Sequence, residues 1–138
     1  MSFLPEEDQE FLADNAIEHR ELTERMPDGT VRRGILFAGF RFSGALWRSD
    51  GALVSADRCD LLILVPDGYA TAKLDSFYTD PKLRRSDGSF PQNANGDTSL
   101  FQQTWQFWSR HLGDGDWRVG VDGLRTFLSY IRGELKAA

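Results

Sequence analysis

The stretch that most limits the fold is Cys59-Asp60-Leu61-Leu62-Ile63-Leu64-Val65, stopped at once by Pro66-Asp67-Gly68-Tyr69. An apolar run this short, bounded by turn formers, is a strand and not a buried helix. Upstream, Ile35-Leu36-Phe37-Ala38 is apolar and Gly39-Phe40-Arg41-Phe42 alternates, so residues 31–42 read as a strand passing from a covered region to an edge. Downstream, Asp75-Ser76-Phe77-Tyr78-Thr79-Asp80 forms a further short strand ending at Pro81. Residues 17–26 fit neither helix nor strand by periodicity, but the turn Pro27-Asp28-Gly29-Thr30 that follows them decides for a hairpin. Four successive strands with no helix between them predict an antiparallel meander.

Helices flank that meander. Pro5 precedes Glu6, Glu7 and Asp8, which place negative charge where a helix N-terminus favours it, and Phe11 and Leu12 supply an apolar face. This predicts a short helix from Glu6 to Asp14. Near the other end, Asp122 is a candidate cap for a helix whose Leu124, Phe127, Leu128, Ile131 and Leu135 share one face. The available partner for that face is the sheet. The expected class is therefore α+β, with a short N-terminal helix, a four-stranded meander and a C-terminal helix packed on it, as one domain over residues 1–138. Residues 43–57 read as a loop with its turn at Ser49-Asp50-Gly51 and with Trp47 and Leu53 folded back on the body. Residues 82–99 read as a long polar surface loop. Gly34 and Gly39 suggest close backbone approach or a bulge.

Charge and composition exclude several functions. A net charge of −5 argues against a nucleic-acid partner held by phosphate contacts. Without an apolar segment of membrane-spanning length, no membrane partner is expected. The acidic N-terminus is no signal peptide, and the single cysteine, Cys59, cannot form an internal disulfide. A cytoplasmic protein is the expectation.

Residues 105–117 hold three of the four tryptophans, Trp105, Trp108 and Trp117, around Ser109-Arg110-His111. Aromatic rings either anchor a core or wall a pocket, and here they surround a hydroxyl, a guanidinium and an imidazole. The active or binding centre is expected in this stretch. Asp114 and Asp116 are two carboxylates without further ligands, so neither a metal nor a cofactor is expected.

The block Val65-Pro66-Asp67-Gly68-Tyr69, followed by Leu74-Asp75-Ser76-Phe77-Tyr78 and Pro81, then Trp105-Gln106-x-Trp108-Ser109-Arg110-His111 and Trp117-Arg118-x-Gly120-x-Asp122, resembles the bacterial ubiquitin-conjugating-like family E. The order of elements resembles the ubiquitin-conjugating enzyme fold. The resemblance implies a ubiquitin-like protein and an adenylating activating enzyme as partners. By gene neighbourhood it also implies a metal-dependent deconjugating peptidase in the same pathway and, by association only, antiviral defence. Eukaryotic conjugating enzymes carry their cargo on a cysteine eight residues before a tryptophan; here that position, counted back from Trp117, is Ser109. The His-Pro-Asn motif of those enzymes is missing, its nearest text being Phe90-Pro91-Gln92-Asn93.

The resemblance thus implies a carrier that takes the ubiquitin-like C-terminus as an oxyester on Ser109 and passes it to an amine. A serine hydroxyl needs an adjacent base, and His111, two residues on, shares a side with Ser109 if the segment is not helical. Arg110 is expected to neutralise the developing oxyanion or grip the incoming tail, with Asp114 and Asp116 assisting the amine and Trp105, Trp108 and Trp117 framing the groove. In the competing reading Ser109 caps a turn, Arg110 is solvated and His111 is structural. The chain is then a catalytically inactive scaffold for the activating enzyme or the ubiquitin-like protein. An unrelated serine hydrolase is disfavoured because no Gly-x-Ser-x-Gly elbow is present.

Overall fold

Helix α1 (Glu6–Asp14) coincides with the acidic, Pro5-led segment and buries Leu12. The hairpin of β1 (Arg20–Arg25) and β2 (Val31–Arg41) follows, with Arg25 opposite Val31. Its turn is held by the Asp28 carboxylate, which accepts from the backbone N–H and the hydroxyl of Thr30, while Gly29 takes a φ of +88° open to glycine. Next come β3 (Trp47–Ser49), β4 (Leu53–Ser55), β5 (Arg58–Val65), β6 (Phe77–Asp80), β7 (Leu83–Arg84), β8 (Gly96–Leu100), β9 (Gln103–Trp108), a 3-10 turn (Asp114–Asp116) and α2 (Leu124–Ala137). The computed structural model describes residues 2–49, 53–69, 72–112, 114–119 and 121–138, without the side chains of Ser49, Leu53 and Asp114. The expected turn at Ser49-Asp50-Gly51 and the packing of Leu53 lie outside the described residues. Among the described residues no helix is long and apolar enough to cross a membrane.

The sheet differs from a four-stranded meander. It has six antiparallel strands in the order β1-β2-β5-β6-β9-β8, and a second sheet runs β4-β3-β7. The four runs read as strands are β1, β2, β5 and β6, neighbours in that order; β3, β4, β7 and most of β8 come from stretches read as loop, and β9 from the tryptophan-rich stretch and the residues just before it. Edge strand β8 is polar and mostly exposed, so its composition is indistinguishable from a loop until a partner is paired with it. Hairpin β3–β4, with three residues in each strand, lies in the segment read as a loop. Gly39 does sit at a bulge, between Phe37 and Phe40, where its N–H donates to the Asp60 carboxylate. Gly34 lies under the Phe101 ring, which a Cβ there would approach to 2.8 Å.

The two sheet faces are covered unequally. Cys59, Leu61, Ile63 and Val65 of β5 face Ile35 and Phe37 on the side covered by Leu124, Phe127, Leu128, Ile131 and Leu135 of α2. Full burial of each such side chain is worth about 1.5–3 kcal/mol, which is why the amphipathic face of α2 settles there. The opposite face has a smaller cluster of Leu62, Tyr78, Leu100 and Trp105, joined by half-buried Leu36, Leu64 and Phe107.

The start of α2 is capped from outside its own sequence neighbourhood. Asp122, expected as the cap, instead accepts from the Arg118 backbone N–H at 2.6 Å and from Thr126. Those bonds, the backbone one first, hold its carboxyl below the usual range. The N–H of Leu124 donates to buried Asp8 of α1, whose other oxygen accepts from the Tyr69 hydroxyl. Burial, and next the Asp8 contact, push the Tyr69 phenol up, so it stays a neutral donor. Gly123 leaves room for this: a Cβ would lie 2.5 Å from the Asp8 oxygen. Tyr69→Phe is expected to cost about 1–2 kcal/mol, and Gly123→Ala about 1–3 kcal/mol, in urea unfolding. An unchanged midpoint for both variants would contradict this capping arrangement.

Candidate functional site

The site is positioned by the pairing of β6 with β9, in which Phe77 lies opposite Trp108, Tyr78 opposite Phe107 and Thr79 opposite Gln106. Trp108 has no exposed surface; its ring stacks on Phe77 at 5.4 Å and its indole N–H donates to the Thr79 hydroxyl. The buried Gln106 amide accepts from Thr79 and the Leu83 N–H and donates to the Leu83 and Ala94 carbonyls. One side chain thereby ties β6, β7 and the turn before β8 to β9. Regular pairing ends at Trp108, and residues 109–112 are not helical. They are held instead by Ser109 N–H donating to the Asn93 carbonyl and Ser76 N–H donating to the Arg110 carbonyl.

Ser109 and His111 share one side of this segment. The Ser109 hydroxyl faces His111 Nε2 at 3.4 Å, longer than an ordinary O–H···N bond, and His111 Nδ1 lies 2.5 Å from the Asp75 carboxylate. In the tautomer that donates Nδ1–H to Asp75, Nε2 presents its lone pair to the hydroxyl. Hydroxyl, imidazole and carboxylate thus stand in series, the arrangement that lets a base draw a proton from serine. The His111 and Asp75 side chains are about half exposed, at 54% and 47%. Both line the end of an open groove of about 1110 Å³ that crosses the less covered sheet face past Tyr78, Phe107 and Leu64 to the β1–β2 turn. Asp75 carries no local signal of this role in the sequence, because it lies 36 residues from the histidine.

The other residues of the stretch are placed differently from expectation. Arg110 points the opposite way, as the next residue of an extended segment must. Its guanidinium donates to Glu134 of α2 at 2.8 Å and to the Gln92 carbonyl, and lies 5.5 Å from the Trp108 ring. A guanidinium so engaged pins the segment to α2 and is not turned toward Ser109. Beside it, burial and then the Glu134 carboxylate raise the Tyr130 phenol to about 12. Trp105 and Trp108, expected to frame a binding groove, are core residues at 1% and 0% exposure, and Trp117 is buried against Tyr69. They face the two apolar clusters because β9 has both of its faces covered. Asp116 is exposed on the 3-10 turn; Gly113, Gly120 and the Asp114 side chain lie outside the described residues. The carboxylate that reaches His111 is Asp75. Among the described residues no three His, Cys, Asp or Glu side chains gather to hold a metal.

Cys59 sits inside β5 at 3% exposure, and burial pushes its thiol well above the usual range. A buried neutral thiol is a poor nucleophile. In the native chain a thiol reagent is expected to modify Cys59 at least about 10²-fold more slowly than in urea-unfolded chain, because reaction waits on opening of the core. Equal rates would show that the thiol is accessible.

Residues 4–138 match the prokaryotic E2 family E. No curated protein and no solved structure gives a match. With the helix-flanked antiparallel sheet and a match spanning essentially the whole chain, the protein belongs to the prokaryotic E2 family E, a family of conjugating-enzyme type.

Proposed function

We propose that this chain is the carrier of a prokaryotic ubiquitin-like conjugation pathway, accepting the C-terminal acyl group of a ubiquitin-like protein from an adenylating activating enzyme as an oxyester on Ser109. His111 is the base that takes the hydroxyl proton, and Asp75 orients the imidazole and stabilises its charged form. The acyl group then passes to an amine, whose proton returns through His111. The observation that carries the reading is the series Ser109, His111, Asp75, of which His111 and Asp75 line an open groove. It occurs in an E2-family chain whose one cysteine is buried in a strand. Arg110 has a supporting part, holding the Ser109–His111 segment against Glu134 and Gln92.

An oxyester is less activated toward amines than a thioester, so the acceptor amine must arrive deprotonated and well placed. The groove, lined by Tyr78 and half-buried Phe107, gives an extended peptide a surface to lie on beside His111. A metal-dependent deconjugating peptidase would reverse the product in the same pathway. The absence of a cysteine at the carrier position favours one alternative, a catalytically inactive scaffold that binds the activating enzyme or the ubiquitin-like protein.

The test mixes the chain with its activating enzyme, ubiquitin-like protein and ATP, and follows covalent adducts on reducing gels. The expected adduct resists reductant, is cleaved by alkali, disappears in Ser109→Ala and persists in Cys59→Ala. His111→Ala is expected to slow its formation by about 10²-fold or more. An undiminished adduct in Ser109→Ala would end the serine mechanism. Tight binding to the activating enzyme with no adduct at all would establish the scaffold.

A further inference from the structure

We infer that Ser109, His111 and Asp75 make the chain an esterase toward activated carboxylic esters, acylated without any activating enzyme and discharged by water. This rests on the assignment of Ser109 as the acylated group. Two observations carry it. The hydroxyl, imidazole and carboxylate stand in series in the folded chain. Ser109 is partly exposed, and His111 and Asp75 beside it are about half exposed and open onto the groove, so a small ester reaches the hydroxyl without any partner protein. That same openness leaves water beside the base once Ser109 has been acylated.

The reaction balances on these groups. Ser109 Oγ attacks the ester carbonyl as its proton passes to His111 Nε2; the Oγ–C bond forms, the bond to the leaving alkoxide or phenoxide breaks, and that oxygen takes the proton. Water then attacks acyl-Ser109, giving a proton to His111. The Oγ–C bond breaks, the proton returns to Oγ, and a carboxylic acid leaves. Acylation by an aryl ester outruns discharge, because a serine alkyl ester has the poorer leaving group. Arg110, held by Glu134 and the Gln92 carbonyl, adds no positive charge to the oxyanion in either step. Burst kinetics follow. The consequence for the pathway is that the carrier's own ester drains to water when no acceptor amine is at hand.

The chain alone, mixed with p-nitrophenyl acetate, is expected to release one equivalent of nitrophenolate per chain in a burst and then turn over slowly. Intact-mass and peptide analysis should find one acetyl group, on Ser109. Burst and acetyl group should vanish in Ser109→Ala, the burst rate should fall about 10²-fold in His111→Ala and about tenfold in Asp75→Asn, and Cys59→Ala should behave as the parent. Circular dichroism verifies that each variant is folded. A folded parent chain without the acetyl group, or a burst that survives in Ser109→Ala, overturns the inference. An adduct with the ubiquitin-like protein on Ser109, in a chain that small esters never acylate, overturns the esterase alone. Acetylation of Ser109 without any protein adduct supports the esterase and removes the carrier reading.

Discussion

Strand β6 pairs with β9 through Phe77 opposite Trp108, and the chemical groups of the molecule sit just past the end of that ladder. Pairing joins a segment that ends the first half of the sheet to one that begins after the long polar stretch. It stacks Trp108 on Phe77, aligns the Thr79 hydroxyl with the indole N–H and lets Gln106 satisfy four backbone and side-chain groups at once. Each of these polar groups is buried, where an unmet hydrogen bond costs about 1–3 kcal/mol, so a shift of register is strongly opposed. The same register carries Asp75 off one strand end and Ser109 to His111 off the other, and brings them face to face.

A second constraint works at the opposite pole of the helix layer. Asp8 sits between the Tyr69 hydroxyl and the Leu124 N–H, tying α1, the turn after β5 and the start of α2 into one buried contact. Glu134, nearer the far end of α2, holds Arg110. Helix α2 is thus anchored at its start by Asp8 and later by an ion pair, and the segment carrying Ser109 leans on it. The helix braces the Ser109–His111 segment through Arg110.

Burial separates the two nucleophiles. Cys59 lies within a strand against α2, its thiol kept protonated by the apolar surroundings, whereas Ser109 stands at a strand exit beside an imidazole and a carboxylate. A hydroxyl is intrinsically the weaker nucleophile, and it is the one given a base. The proposal of serine over cysteine as carrier rests on this difference in surroundings.

The sequence by itself determined both helices, the four strands β1, β2, β5 and β6, and the pairing of Ser109 with His111, because those depend on periodicity, turn residues and a two-residue spacing. The polar strand β8 and the short hairpin β3–β4 were illegible, since a strand made by its neighbours has no signature of its own. The contacts of Arg110 were illegible for a related reason: its partners Gln92 and Glu134 lie 18 and 24 residues away. Only the tertiary structure decided that Asp75 orients toward His111, that Asp8 caps α2 and that Trp105 and Trp108 are core. Each of these is a contact between distant segments, fixed by strand register and helix packing, and no local pattern in a chain encodes which far residue a buried hydrogen bond will find.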